Sequence, residues 1–435
     1  MEKFSEVLMR IGNWCSDNKY LSSIANAFQT FMPFIIIGAI GVLWSNVIVN
    51  DSTGLGALWK PIMALKFLNP AFDALNFVTI GCITIGVTAL IGMEIAERNE
   101  IDSKFGAFLP LACLFTLIPT AQNVYDKAGK ATTLQGVFSD SLGSNSMFTG
   151  MVVGILAIEL FTALYKVDAL KLKMPDQVPA GVSRSFEYLI PGFITLLIFS
   201  LIGVAVKNLS GVYLSELIYK AVQTPLQSVG GSIGGLLTLE LIALLFWCVG
   251  LHGDNMINGV FLPLMTALSV ENMNQVAAGH AATHIVNWSF ARIVYATGGT
   301  GMCIGITLAI LIVGKREENR AIAKLAFVPN LFNIMEVDMF GLPIVLNPIL
   351  LIPFVISPIV TTLVAYFLTV IHIMPVIYLN LPWTMPPFLY AYLGAGGSVI
   401  AGLIQLGLIA ISTLIYIPFI KIYEKQQAEE TAAQA

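Results

Sequence analysis

Hydrophobic and polar positions recur along this chain on two scales. Over residues 1–27, Phe4, Val7, Leu8, Ile11, Trp14 and Cys15 return every three or four positions, with Lys3, Glu6, Arg10 and Asp17 between them. That period is helical and two-faced, and it predicts a helix lying along a membrane surface or packed on cytosolic loops of the same chain. From Phe28 onward the pattern coarsens into charge-poor runs at roughly 28–49, 74–93, 105–121, 146–165 and 188–206, bounded by charges or by Asn, Gly and Pro. A helix crosses the ~30 Å of bilayer hydrocarbon with ~20 mostly apolar residues, so each run is predicted to span. The whole length leaves room for roughly eight to eleven crossings.

Beyond residue 207 the pattern changes. Segment 208–230 is mixed and amphipathic, and the apolar runs after it are broken repeatedly. One break holds Gly250, Leu251, His252, Gly253, Asp254 and Asn255; a second holds His280, His284, Asn287 and Arg292; a third runs from Phe332 to Asp338. Polar, non-helical backbone at membrane depth persists only where protein buries it or water fills a cavity beside it. Transporters build solute sites from such interrupted helices. The chain is therefore divided into a scaffold, 1–225, and a working domain, 226–435, that ends in a short cytoplasmic tail.

Composition turns this pattern into a class. Of 435 residues, 57% are apolar and 11% are Asp, Glu, Lys or Arg, against about 25% charged in ordinary soluble domains. Mean hydropathy is +0.82. These values exclude a soluble enzyme, a disordered chain and a nucleic-acid binder, and leave an all-α polytopic membrane protein. With the N-terminus inside, loops 1–27, 97–104 and 166–187 carry nine Lys and Arg, against four in 50–73 and 122–145. The positive-inside rule thus predicts a cytoplasmic N-terminus. The group Lys315, Arg316, Arg320 and Lys324 and the tail around Lys421 and Lys425 are placed on the same side. The first long apolar run starts too late for a signal peptide. The five cysteines, Cys15, Cys82, Cys113, Cys248 and Cys303, form no CxxC pair and read as small apolar residues.

Few residues can carry chemistry. Glu336 follows Asn333 in a weakly polar stretch; a carboxylate at bilayer depth costs ~2.5–3.5 kcal/mol and usually faces a working cavity. The competing reading is a solvated loop. His252, between two glycines, is read as an imidazole presented where a helix stops, with a packing histidine as the alternative; Asp254 and Asn255 beside it are read as substrate-binding. His280 and His284 have the i, i+4 spacing of metal ligands on a possible helix, but Ala281 stands where an HExxH site has Glu, and no third ligand is evident. His280 is read as polar lining, and no metal or cofactor is expected. Trp247, Trp288, Trp383, Tyr390 and Tyr392 cluster near the breaks, where rings can stack on the C–H face of a sugar or form an interfacial belt.

The Gly-Leu-His-Gly around His252 and the Asn-Ile-Met-Glu and Phe-Gly-Leu-Pro around Glu336 resemble the membrane component IIC of bacterial phosphotransferase-system sugar transporters. Pro382–Trp383–Thr384–Met385–Pro386–Pro387 and the segment from Ala391 to Gly397 look like its lactose, cellobiose and diacetylchitobiose branch. The resemblance implies a bacterial cell-membrane permease and a homodimer of ten-helix protomers with re-entrant hairpins. It implies a β-linked disaccharide, cellobiose or diacetylchitobiose, carried inward and phosphorylated on its C6 hydroxyl by a phosphocysteine of a separate IIB protein. By the same likeness Glu336 holds the reacting hydroxyl and takes its proton, His252 stands beside it, and Asn333, Trp383 and Trp247 contact sugar. The chain departs from the family's Asn-Glu-Pro pattern: Met335 and Val337 flank Glu336, the proline is missing, and Asp338 adds a second carboxylate. The alternative reading is a proton-coupled sugar transporter that releases its cargo unmodified; a metal-dependent membrane hydrolase is a more distant one.

Overall fold

The structure, a computed structural model, describes residues 2–51, 54–125, 131–175 and 177–434. Among them helix dominates; the exception is an antiparallel hairpin pairing Ala121–Tyr125 with Ala131–Gln135 in the register Ala121↔Gln135. It falls in a stretch the apolar pattern marks only as a loop, because five-residue strands of mixed polarity leave no lasting periodicity.

Among the described residues, five helices are long and apolar enough to cross a membrane: Lys19–Ile48, Ser144–Tyr165, Ala180–Ser210, Pro348–Val370 and Val399–Glu429. Counting two bent pairs as single spans raises the number to seven, and shorter apolar helices add to these. Apolar runs such as 105–121 are cut by polar turns into shorter pieces, here Ser103–Phe115 and elsewhere Ile304–Val313. Ala180–Ser210 has only 28% of its apolar window buried, so most of its surface is made for lipid.

The chain packs as two compact units, one of Lys19–Ile35 and Phe77–Leu226, the other of the residues up to Asn18, Ile36–Asn76 and everything from Gln227 onward. Residues up to Asn18 and Ile36–Asn76 thus group by contact with the C-terminal part of the chain.

In the first unit, Ile83–Arg98, Ser103–Phe115 and Met147–Tyr165 pack on one another. Lipid is as apolar as leucine, so helices associate in membranes through close backbone approach at small residues and through hydrogen bonds. Both occur here. A Cβ added to Gly106 would stand 2.3 Å from the Ala96 Cβ, and one added to Gly92 would stand 2.2 Å from the Gly106 carbonyl oxygen. Lys19 bonds to both Asn99 and Glu159, and Asp102 caps the Ser103–Phe115 helix by accepting from the Phe105 N–H at 3.0 Å.

In the second unit the N-terminal helix, Glu2–Asp17, packs at Gly12 against Leu251, Met256 and Phe246, while Val7, Ile11 and Trp14 remain exposed as an apolar ridge. One face docks on the protein, and the other suits lipid. The core of this unit gathers Trp247, Cys303, Met335, Met339, Phe354 and Tyr416.

Gly106→Leu is expected to lower the stability of the detergent-solubilised protein by about 1–3 kcal/mol or more through overpacking. Gly181→Ala is expected to leave it unchanged, since a methyl there meets nothing within 4 Å. Thermal unfolding of the two variants checks the contrast.

Candidate functional site

All three polar breaks read from the sequence interrupt helices in the second unit. The helix Ile233–Cys248 ends at a turn in which Gly250 takes φ +84°, a conformation that favours glycine. The next helix, Gly253–Ala277, starts on His252, whose Nδ1 accepts from the Asn255 N–H at 3.4 Å. A neutral imidazole that accepts through Nδ1 carries its proton on Nε2 and can donate there. The His252 ring is exposed and lies 4.5 Å from the ring of Trp247.

Trp247 itself is buried, and its Nε1–H donates to Asp254 Oδ2 at 3.1 Å. Tyr295 donates its hydroxyl to Asp254 Oδ1 at 2.7 Å, and Thr300 donates to Oδ2 at 2.6 Å. Asp254 is thereby fixed by three donors from three separate segments, an anchor whose lone pairs are largely taken. Asn255 is exposed, and its Oδ1 accepts from Asn258 at 3.5 Å.

Asn333 performs a similar task in the turn that precedes Glu336. It takes φ +62°, a left-handed conformation that asparagine tolerates well. Its Nδ2 donates to the carbonyls of Trp383 at 2.6 Å and Met385 at 3.2 Å, while its Oδ1 accepts from the Gly298 N–H at 2.8 Å. One amide thus ties together the glutamate loop, the glycine-rich turn that also carries Thr300, and the proline-rich segment around Trp383. A further backbone bond, from the Leu346 N–H to the Cys248 carbonyl at 3.1 Å, joins the glutamate segment to the end of the Trp247 helix.

The two carboxylates of the glutamate segment divide sharply. Glu336 opens the short helix Glu336–Gly341; its side chain is exposed and, among the described residues, takes no hydrogen bond or ion pair. Asp338 is fully buried, accepting from Thr307 at 2.9 Å and from Asn330 at 2.6 Å. Met335 is buried too, with its sulfur 3.8 Å from the Cys303 thiol. The departures from the family pattern therefore have a structural use. Met335 and Asp338 hold the loop to the core where a proline is missing, and Glu336 between them is exposed.

Trp383 is 46% exposed, and its indole makes no ring contact among the described residues; only its backbone carbonyl is held. His280 lies apart from this network. It is exposed in the coil 278–287, where its backbone N–H bonds to Gln275. The i, i+4 relation with His284 has no geometric meaning, because neither residue is helical; His284 instead pairs with Glu271 at 2.8 Å. Sequence reasoning missed Thr300, Tyr295, Asn330 and Thr307. The Gly298–Gly299–Thr300–Gly301 run was a visible signal for the first of these, whereas the other three give none until the fold is known.

Comparison with known proteins agrees with this arrangement. Residues 25–358 match the family described as Phosphotransferase system, EIIC. The chain is 34% identical to the oligo-beta-mannoside-specific EIIC component of Bacillus subtilis (strain 168), over 100% of this chain and 98% of the relative. It is 25% identical to the cellobiose-specific EIIC component of Lactococcus lactis subsp. lactis (strain IL1403), over 99% of this chain and 98% of that protein. The crystal structure of the transporter ChbC, the IIC component from the N,N'-diacetylchitobiose-specific phosphotransferase system, superposes with a TM-score of 0.91 at 27% identity, covering 98% of each chain. With the apolar spans, the interrupted helices and the glutamate loop in place, the chain belongs to the EIIC family and is the multi-pass membrane permease component of a sugar phosphotransferase system.

Proposed function

We propose that this EIIC component binds a β-linked disaccharide in the site framed by His252, Asn333, Glu336 and Trp383, and presents its C6 hydroxyl to a phosphorylated IIB protein at the cytoplasmic face. The observation that carries the reading is the isolation of Glu336: every other polar group of its loop named above is bonded, and this carboxylate alone is open. Phosphoryl transfer asks the acceptor site for positioning and for a base within hydrogen-bond reach of the hydroxyl. In the step proposed, the sulfur–phosphorus bond of the IIB phosphocysteine breaks, the bond between O6 and phosphorus forms, the hydroxyl proton passes to Glu336 and the thiolate leaves. His252 Nε2–H donates to the reacting oxygen. The Trp383 ring supplies an apolar face for a pyranose, and Trp247 supports His252 from behind. Asp254 and Asn333 serve as the frame of the site.

Around this site, the unit that includes everything from Gln227 onward carries the cargo, and the Phe77–Leu226 part is the scaffold through which two copies pair. Both termini face the cytoplasm. The names of the relatives, oligo-beta-mannoside, cellobiose and diacetylchitobiose, support a β-linked cargo.

Membrane vesicles given labelled disaccharide and phosphorylated IIB are expected to accumulate sugar phosphate; accumulation of free sugar alone overturns the reading. Glu336→Gln is expected to cut phosphorylation by roughly 10²–10⁴-fold while binding of sugar persists, because the amide still hydrogen-bonds but cannot accept the proton. Single-turnover phosphorylation and equilibrium binding, measured on the same preparation, check the split. Trp383→Ala is expected to weaken sugar binding by about 1 kcal/mol if the ring stacks on the cargo. Isothermal titration with cellobiose, mannobiose and diacetylchitobiose measures that loss and ranks the three.

A further inference from the structure

The short helix Trp288–Tyr295 carries an arginine that takes no part in the network described so far. Arg292 is half-buried, and its guanidinium carbon lies 5.8 Å from the ring centroid of Trp288. It stands one helical turn before Tyr295, whose hydroxyl donates to Asp254 Oδ1. Yet its Nε is sealed from solvent without a hydrogen-bond partner, and among the described residues no oxygen accepts from its terminal nitrogens.

This is an unusual state for a guanidinium inside a membrane protein. A cation at that depth is costly and normally pairs with a carboxylate or with backbone carbonyls, and arginine suits two-pronged pairing with a carboxylate. Arg320 of the same chain shows the ordinary solution, donating to the carbonyls of Leu311 and Gly314. Asp254, bonded one turn away through Tyr295, takes its hydrogen bonds from three neutral donors instead, Trp247, Tyr295 and Thr300. Asp254 therefore occupies none of the Arg292 N–H groups. The guanidinium is left beside the Trp288 ring with its N–H groups unbonded.

We infer that Arg292 is a cargo-binding residue that sets specificity: its unbonded guanidinium N–H groups donate to ring-substituent oxygens of the neutral disaccharide in the site built around His252 and Glu336. The inference rests on the functional reading above and extends it to a residue not assigned there. The ligand is uncharged because a fixed carboxylate, Asp254, is bonded through Tyr295 one helical turn from Arg292. Asp254 would repel a phosphate or carboxylate at this point, whereas a hydroxyl or an amide carbonyl meets donors with no such penalty. Buried polar groups built to bond a substrate oxygen also discriminate strongly against a cargo that lacks it. Asp254 and Arg292 thus divide the work: the first sets charge and frame, and the second touches the cargo.

The test is equilibrium binding to the full chain in detergent, using whichever of radiolabelled cellobiose, mannobiose or diacetylchitobiose the wild type binds best. Arg292→Gln is expected to raise Kd by about tenfold or more, with Arg292→Lys intermediate and the sugar-free melting temperature of both variants unchanged. A series of monodeoxy analogues gives a second measurement that is independent of folding yield. At one position, removal of the hydroxyl should weaken the wild type by about tenfold and Arg292→Lys by clearly less, because part of the bonding there is already lost. Wild-type affinity in both variants overturns the assignment, as does a deoxy series that costs Arg292→Lys as much as the wild type at every position. A variant that binds the neutral sugar normally but loses a competing sugar phosphate overturns the choice of an uncharged ligand. Failure of the wild type to bind any of the three disaccharides would instead undo the functional reading itself.

Discussion

A chain that abandons helix within a bilayer must find a partner for each amide and carbonyl it releases, because hydrocarbon offers none. The unit that includes everything from Gln227 onward answers that constraint with polar side chains that reach across sequence. Asn333 bonds backbone groups of residues 298, 383 and 385. Asn287 caps its own helix and donates to the carbonyl of Ile377 at 2.8 Å. Ser289 reaches the carbonyl of Leu379 and the side chain of Asn380. These stitches tie the broken segments to one another across 35 to 91 residues of sequence.

The acidic side chains sort by the same logic. Asp254, Asp338 and Glu240 are each held by donors inside the protein; Glu240 is fully buried and receives the Thr362 hydroxyl at 3.0 Å and 3.1 Å on its two oxygens. A buried carboxyl group with few donors is costly in its charged form, so Glu240 and Asp338 suit structural bonding better than turnover. Glu336 is the reverse case. Its neighbours at 335 and 338 face the core, and its own carboxylate is exposed and unbonded.

Much of this was legible in the sequence, and the reason differs from residue to residue. Glu336 and His252 were visible because charge and imidazole are rare in such an apolar chain, and glycines around His252 announced a turn. Trp383 was visible through the prolines that follow it. The boundaries of the breaks were legible too, since polar residues interrupt apolar periodicity directly. Roles were harder. Asp254 and Asn333 read as sugar ligands because a sequence shows which groups are polar and not which are already bonded; most of their partners lie 35 to 52 residues away. The spacing of His280 and His284 carries no meaning for a different reason, as the i, i+4 rule assumes a helix and the 278–287 segment is coil. Arg292 was noticed only as an interruption, because its significance lies in bonds that it does not make.

The N-terminal helix carries a practical corollary. Gly12 rests against Leu251 and Met256, which bracket His252 in the chain, while Ile11 and Trp14 face outward. A reporter domain fused ahead of Phe4 would tug on the very turn that presents the imidazole, whereas the far end of Val399–Gln434 offers an attachment point well removed in sequence from that turn. The choice of which terminus to label is thus a choice about whether the instrument disturbs the quantity being recorded.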